Sequence, residues 1–266
     1  DILELDQLTK SYKKLANQLK EQFAVTKATS EELDLKNSEL LKLGEEMEDF
    51  LSKSSRKLRA PLNSLQGLTE LMRLGKLEAN DEQTIKLINE ALGQIENYLK
   101  DFNEFVNLRK EAIKIEKFDL KKSINTILSD RKRKASIPVN VNLTLGNDLS
   151  IESDQDRLEM ILSHVLDNAF QYYDREIAKL NLLVEANKSG DGIEVLIQDD
   201  GIGIESDQLE RIFDMFVRAS HHSKGSGLGL YIARASLRSI GGVIKVESKV
   251  GEGTSVRIIV PNKPEV

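Results

Sequence analysis

The sequence contains no cysteine, which excludes disulfide staples and thiolate metal sites and fits a reducing compartment. No signal peptide is visible, and no apolar run comes near the roughly 20 residues that span a bilayer. It has no excess of positive charge: the formal net charge is −6, so electrostatics give no reason for a nucleic-acid partner. Histidine is scarce, at three residues, His164, His221 and His222. What is present is a chain of 266 residues, 39% apolar and 31% charged, the composition of a folded protein with a sizeable core. The length suits roughly two domains. The chain opens at Asp1 without a methionine and runs straight into helical sequence, so we read it as a piece of a longer protein.

Residues 1 to about 115 show no strand-like alternation. Leu5, Leu8, Tyr12, Leu15, Leu19 and Phe23 recur at helical spacing and predict a helix with one apolar seam. The seam resumes at Leu33, Leu40, Met47, Leu51, Leu58, Leu62 and Leu65. A softer segment from Ala24 to Glu32 is expected to be a phase break or bend. A narrow seam of this length points to a coiled coil. Pro61 falls inside the second run, where proline costs about 3 kcal/mol and is expected to kink the helix. Gly75 to Asp81 reads as a turn with Asp81 as N-cap. Ile85, Ile88, Ala91, Ile95, Tyr98, Phe102 and Phe105 then share one face of a second helix. Two such helices on a short turn predict an antiparallel hairpin, and a pair of hairpins makes a four-helix bundle. An ordinary helical core explains the same apolar positions.

Composition changes near Phe118. Helices are expected over Leu120–Arg131, Asp154–Tyr172 and Gly227–Ser239. Strands are expected over Val139–Leu145, Leu180–Ala186, Gly192–Asp199, Val243–Ser248 and Thr254–Pro261. Mostly hairpin-linked strands mixed with helices predict an α/β sandwich with helices on one face of the sheet, and an α+β chain overall.

Three clusters in this half carry chemistry. Asn168 lies on a helix in Leu-Asp-Asn-Ala. Asp199-Asp200-Gly201-Ile202-Gly203 closes an apolar strand. Gly225-Ser226-Gly227-Leu228-Gly229-Leu230 opens a helix. A strand-terminal aspartate before two glycines lets the backbone approach a planar ring, with the carboxylate accepting from an exocyclic amine such as that of adenine. A glycine-rich turn at a helix N-terminus offers free N–H groups to phosphate. An asparagine supplies a neutral oxygen to Mg²⁺, which otherwise keeps waters and substrate phosphates. Each feature alone is more often structural, and their combination in this order is far more specific. The P-loop, Gly-x-x-x-x-Gly-Lys-Ser/Thr, is absent, and the Gly225 loop follows a polar segment rather than a strand, against a dinucleotide-binding unit.

The order Asn168, Asp199-x-Gly201-x-Gly203, Phe213-Asp214-x-Phe216, Gly225-x-Gly227-x-Gly229 and Gly241-Gly242…Gly251-x-Gly253-Thr254 resembles the catalytic domain of sensor histidine kinases. That domain belongs to the ATP-binding superfamily shared with large heat-shock chaperones, MutL and type II topoisomerases. The resemblance implies a signalling helix or coiled coil over residues 1–49, a dimerisation and phosphotransfer hairpin over 50–115, and an ATP-binding catalytic domain over 116–266. It implies that Asn168 coordinates Mg²⁺, Asp199 reads adenine and Tyr172 packs near it. Gly201, Gly203, Gly225, Gly227, Leu228 and Gly229 would shape pocket and lid, and Arg218 would contact phosphate. It further implies a homodimer through residues 1–115, a response regulator or partner kinase, no nucleic acid, a cytoplasmic location, and an upstream sensor or membrane anchor before residue 1.

The family's phosphoacceptor motif reads roughly Phe-x-x-x-x-Ser-His-Glu/Asp-Leu-Arg-x-Pro-Leu. Here Phe50 to Leu62 keeps the frame, but Arg56 holds the histidine position and Lys57 the acidic one. A permanently protonated guanidinium has no lone pair with which to attack a γ-phosphate, and the carboxylate that would take a proton is missing. In the catalytic half, His164 stands where the family has Asn, one turn before Asn168, and Gln171 stands where it has Lys. His164 suits a base, a poor metal ligand or a pocket-rim histidine. His221 and His222 fall in the lid region without neighbours for a zinc site. Four departures together favour natural divergence over an engineered change. The reading is a pseudokinase that relays a signal and binds ATP with Mg²⁺. The alternatives are an active kinase phosphorylating a partner histidine in trans, and a sensor kinase in which Arg56 was introduced. Phosphatase action is disfavoured by Ala60, where a polar residue is usual.

Overall fold

The computed structural model describes residues 2–77, 81–135, 137–173, 179–218 and 225–263. His221 and His222 lie outside them. The chain divides into two compact units, Asp1–Arg56 and Lys57–Val266. No helix among the described residues is long and apolar enough to cross a membrane.

The first unit is helical throughout. It belongs to α1 (Ile2–Arg73), whose 72 residues run on without a break. The segment Ala24–Glu32, expected to be a phase break or bend, does not interrupt the helix: it lacks seam residues but has nothing that breaks a helix, and its backbone stays helical. Leu15, Leu19, Phe23, Leu33, Leu40 and Met47 are each 37–72% exposed. The side chains of Leu5, Leu8 and Tyr12 lie outside the described set.

In the second unit α1 continues past Pro61, which removes one backbone donor without ending the helix. The end comes at Gly75, whose φ of 68° suits a residue without Cβ. There Gly75 N–H donates to Met72 O at 3.0 Å and Lys76 N–H to Leu71 O at 2.9 Å, the paired bonds of a Schellman stop. Asp81 caps α2 (Glu82–Lys110) by accepting from Thr84 N–H at 3.0 Å. Together the helices form a helical hairpin. On α2, Ala91, Tyr98 and Phe105 are buried, whereas Ile85, Leu92 and Leu99 are 44%, 45% and 48% exposed.

The remainder is a two-layer α/β domain. A five-stranded sheet has the order β2-β4-β5-β7-β6, from β2 (Val139–Leu145), β4 (Leu180–Ser189), β5 (Gly192–Asp199), β6 (Val243–Lys249) and β7 (Gly253–Pro261). The three helices are α3 (Leu120–Lys134), α4 (Gln155–Gln171) and α5 (Gly229–Ser239). Their buried side chains, Ile124, Leu158, Ile161, Leu162, Val165 and Leu237 among them, join Leu182, Val184, Val195, Ile197 and Ile258 of the sheet in one core. Each such side chain contributes about 1.5–3 kcal/mol through burial. Strand pairing is antiparallel except for β2 and β4, which are parallel through a crossover containing α4. Two strands were not expected from sequence. β1 (Glu116–Asp119) and β3 (Ser150–Ser153) pair antiparallel as a separate small sheet. Helix α5 begins at Gly229, two residues after the expected start at Gly227, because Gly227 adopts a φ of 79° that α-helix does not allow.

A buried charge pair ties the hairpin to the α/β domain. Asp154 caps α4 through Arg157 N–H at 3.0 Å and accepts from Lys114 N–H at 3.0 Å. The guanidinium of Arg157 lies 3.3 Å from Asp154, donates to the α2 C-cap carbonyl of Glu111 at 2.8 Å and reaches Ser239 Oγ of α5 at 2.8 Å. A cation over the last carbonyls of α2 also suits that helix's dipole.

Candidate functional site

Helix α4, the end of β5, the glycine segments and α2 enclose a cavity of ≈ 530 Å³. Asn168, Gln171, Tyr172, Asp199, Gly203, Arg218, Gly225, Gly227, Gly229 and His164 all border it. Gly201 and Leu228 do not border it and are buried beside it. Thus segments separated by the whole α/β domain in sequence converge on one space.

Asn168 sits in the last turn of α4. The preceding residue anchors that turn: Arg131 of α3 grips Asp167 with two donors, Nη2 to Oδ2 at 3.1 Å and Nε to Oδ1. Such a fork fixes orientation as well as charge. Tyr172, the C-cap of α4, gives its carbonyl to Ile202 N–H at 3.0 Å, so the Asp199 loop is tied to the helix that carries Asn168.

Asp199 ends β5 and is 9% exposed. Its Oδ1 accepts from Gly201 N–H at 2.9 Å. Burial pushes its carboxyl up to about 6, against backbone N–H bonds from Gly201 and Thr254 that favour the charged form. The β6–β7 turn presses on it so closely that a Cβ on Gly253 would lie 2.0 Å from Asp199 O. Gly203, at φ 70°, approaches Lys249 in the same way, with room of only 2.1 Å between its ideal Cβ position and Lys249 O. The far wall is apolar, from Ile197, Ile202, Ile212, Val246 and Val256. A cavity with these apolar side chains and the buried Asp199 carboxylate in its lining suits a purine with an exocyclic amine. Arg218 and the glycines Gly225, Gly227 and Gly229 border the same space and suit anionic oxygens. Phe216 holds that segment, its N–H donating to Gly227 O at 2.8 Å.

Sequence reasoning did not find the contribution of α2. Asn97, Lys100 and Asp101 border the cavity, and Glu104 stands one turn further along. Asp101 accepts from the Ser226 hydroxyl in the glycine segment. Glu104 meets His164 Nε2 at 2.7 Å. Burial raises the Asp101 carboxyl, opposed by the Ser226 bond and by His164. Burial would raise Glu104 too, but the His164 bond and charge, with Lys100, hold it below its usual range. The signal in the sequence was a polar row, Asn97, Asp101 and Glu104, flanking the apolar face of α2 at helical spacing.

Arg56 and Lys57, the positions expected to correspond to the phosphoacceptor motif, lie on α1. Arg56 is exposed in the first unit. Lys57 opens the second unit, half-buried, and its ammonium is lowered by burial and by the like charge of Arg218.

Comparison with known proteins places both halves. Residues 153–264 match the family described as "Histidine kinase-, DNA gyrase B-, and HSP90-like ATPase". Residues 46–111 match the "His Kinase A (phospho-acceptor) domain". Sensor histidine kinase WalK of Bacillus subtilis is 27% identical over 244 residues, 84% of this chain and 38% of its own length. Sensor protein SrrB of Staphylococcus aureus is 29% identical over 231 residues, 82% of this chain and 38% of its own. The chain therefore spans well under half the length of these relatives. Among solved structures, histidine kinase AdeS of Acinetobacter baumannii aligns with a TM-score of 0.61 at 21% identity, over 79% of this chain and 98% of that one. Histidine kinase ThkA, solved in complex with response regulator protein TrrA, aligns with a TM-score of 0.64 at 21% identity, over 81% of this chain and 62% of that one. At that identity the two structures speak for the fold. From the paired family matches and these relatives, the chain belongs to the sensor histidine kinase family, a phosphoacceptor-type helical hairpin followed by an ATP-binding domain.

Proposed function

We propose that this chain is the signalling core of a histidine kinase homologue that binds ATP with Mg²⁺ and relays a conformational signal without phosphorylating itself. The observation that carries the nucleotide half is the convergence of Asn168, Asp199, Arg218 and the Gly225–Gly229 segment on one cavity. Asp199 would accept from the adenine amine, and Tyr172 would pack beside the ring. Asn168 would offer its oxygen to Mg²⁺ among waters and phosphates. Gln171, neutral where the family has Lys, leaves less positive charge for the phosphates. The observation that carries the silent half is that all three histidines lie beyond residue 163, with none in the hairpin. Arg56 at the acceptor position has no free electron pair, and Lys57 after it is held near another cation rather than being a carboxylate base.

Two features support a homodimer through residues 1–115: the uncovered seam of α1, and the exposed Ile85, Leu92 and Leu99 at seven-residue spacing on α2. A second reading, transfer to a histidine on a partner kinase, is favoured by the intact nucleotide cavity, and a response regulator is the other candidate partner. The ATP requirement and the lack of cysteine support a cytoplasmic setting. Calorimetric titration with ATP, with and without Mg²⁺, tests the nucleotide half. Saturable binding strengthened by Mg²⁺, with that strengthening lost in Asn168→Ala, is expected. Absence of binding under either condition refutes it.

A further inference from the structure

We propose that Asp101, Glu104 and His164 form a site for one divalent transition-metal ion of the Zn²⁺ class, held between α2 of the hairpin and α4 of the ATP-binding domain. Ligand atoms of the three side chains all lie within 4.8 Å of one another, and no other such group occurs among the described residues. The carboxylates are one helical turn apart on the same face of α2. His164 is 7% exposed, and its orientation is fixed from behind: Gly229 packs so closely that an added Cβ would lie 2.9 Å from His164 Nδ1. That leaves Nε2 as the nitrogen aimed at the carboxylates, 2.7 Å from Glu104.

One imidazole and two carboxylates make a borderline donor set that suits Zn²⁺ better than Mg²⁺. Three protein ligands leave a fourth position for water, the open form of a zinc site. Tetrahedral coordination with bonds of about 2.0–2.2 Å puts ligand atoms about 3.4 Å apart; the ligand atoms, within 4.8 Å of one another, need to close by at most about 1.4 Å, while Glu104 and His164, at 2.7 Å, open by about 0.7 Å. The ion would take the place of the hydrogen bond between Glu104 and His164, and two half-buried carboxylates would gain a counter-charge. Lys100, 3.7 Å from Glu104 and 56% exposed, is free to swing outward. The consequence is a clamp: an ion held by both elements keeps the ATP-binding domain seated on the hairpin. Its ligands differ from the Asn168 oxygen expected to meet Mg²⁺, although His164 lies one turn before Asn168 and both border the same cavity.

The test is Co²⁺ binding by the chelator-stripped, nucleotide-free chain, followed by visible absorption. One Co²⁺ per chain with a band of tetrahedral intensity is expected. Glu104→Gln and His164→Asn should each weaken binding by about tenfold or more, since even supporting groups around a metal cost that much. Asn168→Ala and His221→Ala/His222→Ala should leave the band unchanged. Glu104→Gln alters one half-buried residue and keeps the test valid should His164→Asn fail to fold. No stoichiometric Co²⁺ uptake, or a band indifferent to Glu104→Gln and Asp101→Asn, overturns the site and leaves Glu104–His164 as a hydrogen-bonded pair only.

Discussion

Asp199 shows most directly how function and stability oppose each other at a single residue. Its carboxyl, at about 6 in the folded chain against an ordinary 3.8, holds a proton more tightly than in the unfolded chain. The folded state therefore has its full share of stability from this group below about pH 4 and loses it as pH rises through about 6. At neutral pH the buried charge costs the empty protein up to about 3 kcal/mol. Asp199→Asn should remove most of that cost, keeping an amide oxygen for Gly201 N–H. Thermal unfolding of the nucleotide-free variant is expected to shift upward by several degrees at pH 7.5 and not at pH 4. The same variant should bind ATP about 10- to 100-fold more weakly, because an amide at that position cannot match a carboxylate toward an amine. A variant that is less stable at pH 7.5, or that binds ATP as the parent does, would contradict this role.

At the scale of elements, Arg157 joins the end of α2 to the ATP-binding domain. It joins Asp154, the Glu111 carbonyl and Ser239 while 7% exposed. Arg157→Ala leaves a buried carboxylate and a helix-end carbonyl without their partner, and a loss of about 3–5 kcal/mol in urea unfolding is expected. Arg157→Lys should rescue little, because one ammonium cannot serve three acceptors spread around a planar fork. Full rescue by Lys would mean that charge alone holds the joint.

How legible these elements were followed their periodicity. Helix α4 announced itself by Leu158, Ile161, Leu162, Val165 and Leu166 behind the cap Asp154, and β4 and β5 by apolar alternation around a glycine turn. The pocket residues were legible because glycines at positive φ and a strand-end aspartate are local marks of a close approach. β1 and β3 were not legible: each has four residues, and Glu-Lys-Phe-Asp carries no alternation to read. Nor was the α2 wall, since Asp101 and Glu104 look like solvated charges until α4 and the Ser226 segment are folded against them. The supposed bend at Ala24–Glu32 confused a missing seam with a broken helix, although polar residues such as Glu31 and Glu32 continue a helix perfectly well.

At the scale of the whole molecule, a single chain leaves apolar rows on two helices bare among the described residues. Helix α1 exposes Leu15, Leu19 and Phe23, and α2 exposes Ile85, Leu92 and Leu99. Covering the α2 row with its counterpart on a second chain would build the proposed four-helix bundle, and Leu92→Asp/Leu99→Asp should then convert a dimer to monomer in sedimentation velocity without unfolding the ATP-binding domain. A monomeric parent protein would exclude the bundle. If the dimer forms and binds nucleotide, the proposed absence of a destination for the phosphate in its hairpin can be tested directly. The purified chain, incubated with Mg²⁺ and ATP labelled at the γ-phosphate, should acquire no acid-labile, base-stable label even at saturating nucleotide. Stoichiometric label of that kind on the chain itself would contradict a kinase core that binds ATP and keeps its own hairpin unphosphorylated.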